Sequence, residues 1–163
     1  MHGWSLEWLS LCGSRDWRPA MAELNSGREA RRIPVLEGSC HCGSVRWTFN
    51  GVPESATACS CTVCRRYGVL WAYGYDGEEV RVSGETRVYS WDDRELGFHF
   101  CPTCACVAFW RAIEPDPQGR RRAGVNLRMA DPGQVAQIPI RHFDGYETWQ
   151  AHEDGRRVAD MWF

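Results

Sequence analysis

Eight of the nine cysteines fall into three tight groups: Cys40-His41-Cys42, Cys59-Ser60-Cys61-Thr62-Val63-Cys64 and Cys101-Pro102-Thr103-Cys104-Ala105-Cys106. A fold that accepts this chain must either bury each thiol as a small hydrophobe or bring the groups together on metal, and eight thiols at chelating spacings favour metal. Residues i and i+2 of a strand share a face, so each Cys-x-Cys is expected to aim two sulfurs at one point. The residue between them then turns away, and His41 is not counted as a ligand. Cys-Pro-Thr-Cys suits a tight turn that carries two thiolates to one ion. Soft thiolates favour zinc among the available divalent metals, with an iron–sulfur cluster as the minor alternative. A disulfide network is the weaker rival, because Cys-x-Cys rarely closes on itself.

Cys40 and Cys42 with Cys101 and Cys104 make a natural four-thiolate site, two pairs separated by most of the domain. Such a clip ties early strands to late ones and contributes on the order of 10 kcal/mol of metal-binding free energy to folding. Cys59, Cys61 and Cys64 are left over. Three thiolates on zinc carry a charge of about −1, and a three-ligand centre with an open position is the pattern of catalytic rather than structural zinc. Water, an incoming thiolate or Cys106 would fill the fourth position. Cys106 has two readings, a closing ligand for that second site or a buried strand residue leading into Val107, Phe109 and Trp110; the packing role is preferred. Cys12 stands alone and receives no role.

The remaining composition narrows the class. With 163 residues the chain suits one domain. Nineteen basic against 21 acidic side chains leave a net charge of −2, which argues against nucleic acid as a partner, since only Arg120, Arg121 and Arg122 and the first residues offer local positive charge. No stretch approaches the roughly 20 apolar residues of a membrane span. The first residues lack the basic start and apolar run of a secretory signal, so the reading is a soluble protein of a reducing cytoplasm.

Residues 1–34 read as a flexible leader, rich in Ser, Gly and Arg, in which Met21 offers a second start. A zinc domain is expected over 35–150 and a C-terminal tail over 151–163. Within the domain Val45, Trp47 and Phe49 alternate with polar residues, as a half-buried strand does, before the turn Gly51-Val52-Pro53. Further strands are expected at 70–75, 80–82, 87–91, 96–100, 107–112 and 123–127. Turn residues recur about every ten positions, the rhythm of a mostly antiparallel β fold. Helix is scarce: Asp131-Pro132 starts a short one, and another is expected from Asp144 through Trp149. The loop from Glu114 to Arg122 reads as exposed.

Gly38-Ser-Cys-His-Cys-Gly43, then Cys59-x-Cys-x-x-Cys64-Arg65-Arg66, then Cys101-Pro-x-Cys104 closely resembles the glutathione-dependent formaldehyde-activating family, which includes the centromere protein V domain. The likeness runs from about Leu36 to Trp149. It implies a mostly β, zinc-bound fold of coiled antiparallel sheets, of the β-tent type, with few short helices. It also implies structural zinc on Cys40, Cys42, Cys101 and Cys104, catalytic zinc on Cys59, Cys61 and Cys64, and a carbon–sulfur lyase acting on adducts of small aldehydes with glutathione or a similar thiol. The chain departs from the family after Cys104, where Gly and a small polar residue are common and Ala105-Cys106 stands here.

If that chemistry holds, Arg65 and Arg66 are placed to meet substrate carboxylates, and Tyr67, Trp71 and His99 are walls or proton relays. Duller roles compete. The two arginines would balance the thiolates or sit in solvent, His99 would be a strand residue facing away from Phe98 and Phe100, and Trp47, Trp71, Trp91 and Trp110 would be core or sheet surface. The alternative to an enzyme is a non-catalytic, zinc-stabilised binding module. Sequence leaves the substrate, the direction of reaction and the oligomeric state open.

Overall fold

Alternation is realised as expected in the strand Arg46–Asn50, which buries Trp47 and Phe49 on one face and leaves Arg46 in solvent. The computed structural model describes residues 34–91 and 94–161. In it β1 (Val35–Ser39), β2 (Arg46–Asn50) and β5 (Val80–Ser83) form a three-stranded antiparallel sheet with β2 in the centre. The second sheet contains β3 (Ala56–Cys59), β4 (Trp71–Tyr75), β6 (Arg87–Tyr89), β7 (Leu96–Phe100), β8 (Val107–Ala112), β9 (Arg122–Asn126), β10 (Ile140–Phe143) and β11 (Ala151–His152). Its order is β11-β10-β3-β4-β9-β8-β7-β6, and only β3 with β10 is parallel. Among the described residues helix is confined to α1 (Cys64–Tyr67), α2 (Pro132–Val135) and single 3₁₀ turns at Leu127–Met129 and Val158–Met161. The leader, with Cys12 and Met21, lies outside the described residues.

Burial explains how the sheets are held. The larger cluster contains Leu36, Trp47 and Phe49 from the smaller sheet, Val45 just before β2, and Ala72, Phe109, Val125 and Ile140 from the larger sheet. Each fully buried large apolar side chain contributes about 1.5–3 kcal/mol. Trp47 packs flat on Gly38 of the paired strand: a Cβ built at Gly38 would lie 2.3 Å from the indole carbons. Asn126 is the main polar device in the interior. Its Nδ2 donates to Val107 O at 2.8 Å, and its Oδ1 accepts from Leu70 N and Arg128 N, so one side chain ties β9 to the ends of β4 and β8. Residues beyond 150 continue the packing, since β11 pairs with β10 and Val158 is fully buried.

A smaller cluster gathers Val63, Cys64, Trp71, Phe98 and Trp110, with Cys59 and Cys61 packed against it. It lies at the ends of β3 and β4 and on the faces of β7 and β8, and it becomes the floor of the site.

The short helix at Asp131-Pro132 forms as read, with the Asp131 side chain accepting from Gly133 N. The helix expected from Asp144 through Trp149 does not form. Asp144 accepts from the amides of Tyr146, Glu147 and Thr148 and from Ser60 Oγ, which closes the segment as a turn in place of a helical ladder. The chain must also reverse here so that Phe143 can pair with Ala151.

Because the indole of Trp47 leaves no room beside it, Gly38→Ala is expected to destabilise the metal-loaded protein by about 3 kcal/mol in denaturant unfolding. A change under about 0.5 kcal/mol would mean that the Trp47 contact is not close-packed.

Candidate metal centres and the cleft above one of them

Cys40 directly follows β1 and Cys42 comes next in a tight turn closed by Gly43 N donating to Cys40 O at 2.8 Å, with Gly43 at φ 78°. Cys101 follows β7, and Ala105 N donates back to Cys101 O at 2.9 Å around the second turn. The Cys-x-Cys pairs thus sit in turns and at a strand end, not along strand faces as the spacing argument expected. The turn amides explain the choice, because they point at sulfur: Val45 N donates to Cys40 Sγ at 3.2 Å. The sulfurs of Cys40, Cys42, Cys101 and Cys104 all lie within 4.8 Å of one another, with Cys42 at 3.5 Å from both Cys40 and Cys101. A tetrahedral ion with sulfur at ~2.3 Å spaces its ligands ~3.8 Å apart, so the cluster has the size zinc requires.

Protonation tells the same story. Burial pushes the Cys40 thiol up to about 11, Ser44 draws Cys42 down, and the amides of Cys106 and Cys42 draw Cys104 down to about 5. Sulfurs this close cannot all be anions without a cation among them. The group comes from β1 on one sheet and β7 on the other, so an ion here joins the two sheets.

The second group is built at the end of β3. Cys59 closes the strand, Cys61 sits in the next turn, and Cys64 opens α1; their sulfurs also lie within 4.8 Å. Cys61 N donates to Cys59 Sγ and Cys64 N to Cys61 Sγ, each at 3.4 Å, while Trp71 Nε1 donates to Cys64 Sγ at 3.2 Å. Hydrogen bonds from Cys59 and Cys64 pull the Cys61 thiol down to about 2, whereas the neighbouring sulfurs push Cys59 and Cys64 up. The three sulfurs thus compete over charge, a conflict that a soft cation would relieve.

Cys106 belongs to the other end of the molecule. It packs against the main core beside the four-sulfur group, where the His41 amide lowers its pKa but burial and the Cys104 and Cys101 sulfurs outweigh that and raise it. It is in neither sulfur group, and among the described residues no fourth Cys, His, Asp or Glu joins Cys59, Cys61 and Cys64. Cys106 is thus not a closing ligand; it packs against the core as expected, but half-buried and just before β8 rather than buried within a strand. Ala105 adopts φ 60°, a left-handed conformation that suits glycine.

A cleft of about 470 Å³ opens over the three sulfurs. Trp71, Phe98 and Trp110 line its depth, Tyr73 lines a more exposed part, and Trp91, Tyr146 and Trp149 are exposed at its mouth. Two concavities of similar volume lie elsewhere and contain no thiol. The residues proposed from sequence as substrate contacts lie beside the cleft. Arg65 is exposed, with its guanidinium carbon 5.3 Å from the Tyr146 ring; Arg66 donates to Thr62 O at 2.8 Å; Tyr67 packs near Phe98 at 6.1 Å. His99 faces the opposite side of β7, stacked on Phe109 and bonded to Thr86, and does not line the cleft.

Sequence reasoning missed the segment after β10. Gly145 passes so close that a Cβ there would lie 2.9 Å from Cys59 Sγ. Its signal was faint: a lone Gly after the polar Asp144, some 80 residues from the thiols.

Gly145→Ala is expected to lower metal content by one equivalent per chain while circular dichroism stays unchanged. Retention of full metal would show that the Cys59 sulfur has room to move. Ala105→Gly is expected to stabilise the metal-loaded protein by about 0.5–1 kcal/mol, measured by denaturant unfolding.

Residues 35–140 match the family described as glutathione-dependent formaldehyde-activating enzyme. A Halomonas elongata protein, provisionally named a glutathione-dependent formaldehyde-activating enzyme, is 32% identical over 87 residues, covering 47% of this chain and 55% of its own. The chain thus spans about half the length of that relative. A crystal structure of a Rhodobacter sphaeroides protein aligns with 64% of this chain and 99% of its own, at 25% identity and a TM-score of 0.49. The family match covers more than half of the sequence and contains all seven clustered sulfurs described above, so this chain belongs to the glutathione-dependent formaldehyde-activating family.

Proposed function

We propose that the chain is a zinc-dependent carbon–sulfur lyase-type enzyme acting on adducts of small aldehydes with glutathione-like thiols. Two zinc ions per chain are assigned, a structural one to Cys40, Cys42, Cys101 and Cys104 and a catalytic one to Cys59, Cys61 and Cys64. The observation that carries this reading is a three-sulfur centre in a cleft, with no fourth protein ligand among the described residues. An all-sulfur donor set suits zinc. When bound, zinc supplies a Lewis acid that lowers the pKa of an incoming thiol and polarises a carbonyl oxygen.

In the addition direction the thiol sulfur forms a bond to the aldehyde carbon, the carbonyl π pair moves to oxygen, and the thiol proton ends on that oxygen as a hydroxyl. The reverse breaks the carbon–sulfur bond and releases thiol and aldehyde, with no change of oxidation state. The protein's own part is to orient and shield. Trp71 holds Cys64 by its indole N–H, and the aromatic walls keep water from the reacting atoms. Burial pushes the Tyr73 hydroxyl up to about 12, so at neutral pH it stays protonated and is the proposed donor to the substrate oxygen. Arg65, Arg66 and Tyr67 are proposed outer contacts. The described cysteines are unpaired, in keeping with a proposed cytoplasmic location, and no helix among the described residues is long and apolar enough to cross a membrane.

The test is adduct exchange between formaldehyde and glutathione, followed by NMR, with metal content measured in parallel. Cys59→Ala is expected to lose one of two zinc equivalents, keep its fold and slow exchange at least about a hundredfold, the several kcal/mol such a metal supplies. Exchange at the uncatalysed rate in a fully loaded wild type, with glutathione and with benzyl mercaptan alike, would favour the non-catalytic binding module.

A further inference from the structure

The cleft carries more aromatic surface than a metal site needs. Trp71 and Trp110 are buried, yet Trp91, Tyr146 and Trp149 stand 40%, 58% and 72% exposed around the mouth. Exposed aromatics clustered at one opening mark a binding surface, whereas scattered ones would not. Trp149 is held there against its backbone preference. It sits at φ 58°, fixed by its N–H donating to Asp144 O at 2.7 Å and by an edge-on contact with Phe143 at 5.9 Å. Such a conformation is strained for a residue with a Cβ and points to function where it persists.

Charge supplies the second observation. Among the described residues no Arg, Lys or His lines the cleft. Arg65 lies against Tyr146 and Arg66 is engaged with Thr62 O. A thiol bearing two carboxylates, as glutathione does, would set them near the anionic sulfurs, with no basic side chain among the described lining residues. An uncharged aromatic group meets ring faces and edges instead.

We propose that this cleft selects thiol adducts whose organic portion is aromatic and uncharged, in preference to adducts of glutathione. The inference rests on the proposed thiol chemistry at the Cys59, Cys61 and Cys64 centre and specifies its substrate class. The aromatic group belongs either to the thiol or to the aldehyde, and both place it against the same walls.

Quenching of tryptophan fluorescence in the zinc-loaded protein is the direct test, with benzyl mercaptan, 3-mercaptopropionate and glutathione as probes. Benzyl mercaptan is expected to bind at least tenfold more tightly than either carboxylate-bearing thiol. Trp149→Ala, an exposed change that spares the core, is expected to weaken benzyl mercaptan about tenfold, with recovery in Trp149→Phe. A second arm compares turnover of the formaldehyde adduct of benzyl mercaptan with that of the benzaldehyde adduct of 2-mercaptoethanol. Preference for either over the glutathione adduct supports the proposal and identifies the half that carries the ring. Equal or tighter glutathione binding would overturn it and leave the lyase reading intact, whereas failure of every thiol to bind a fully zinc-loaded protein would overturn both.

Discussion

Sulfurs packed 3.5 Å apart in a partly buried cluster are the constraint around which this molecule is arranged. Left as thiols, they desolvate one another's protons; left as thiolates, they repel. Backbone amides and the Trp71 indole relieve part of that conflict, but they cannot neutralise four sulfurs at one centre and three at another. A soft cation at each centre can. Strand order follows from the same demand, since β1 and β7 lie in different sheets and their following turns meet at the four-sulfur group.

The two centres differ in what surrounds them. The four-sulfur group has two nearly inaccessible members, Cys40 and Cys101, and lies against the main core, where an ion serves as a joint. The three-sulfur group lies against a smaller aromatic cluster and opens to a cleft. On the proposed reading, one chemical motif thus serves for stability at one end and for reactivity at the other. Cys106 keeps the centres distinct, because it packs near the first and leaves the second with three sulfurs.

Much of this was legible in the residues. Spacing marked three local clusters of chelating thiols, while ligand counting and the family resemblance joined Cys40 and Cys42 to Cys101 and Cys104 as the fold does. Period-2 alternation and turn residues located β7 and β8 to the residue, and Asp131-Pro132 marked α2. Parts that depend on distant contacts were not legible. Strands β3 and β10 are four residues each and pair in parallel across some 80 positions, which no local period announces. The turns holding Cys42 and Cys104 are governed by amide-to-sulfur geometry, where a strand argument was applied. The 144–149 segment looked helical because nothing local revealed that Ser60 would bond to Asp144 or that Gly145 would pass against Cys59. The cleft's aromatic mouth joins Trp91 to Trp149, whose shared surface exists only in the fold.

The central claim is an asymmetry, one centre saturated with sulfur and the other one ligand short. X-ray absorption at the zinc edge of protein loaded with two equivalents measures it directly. The account predicts about 3.5 sulfur neighbours per zinc at ~2.3 Å, the mean of four and three, plus a fractional shell of one light atom. An average of four sulfurs with no light atom, or a protein that holds only one zinc, would contradict it.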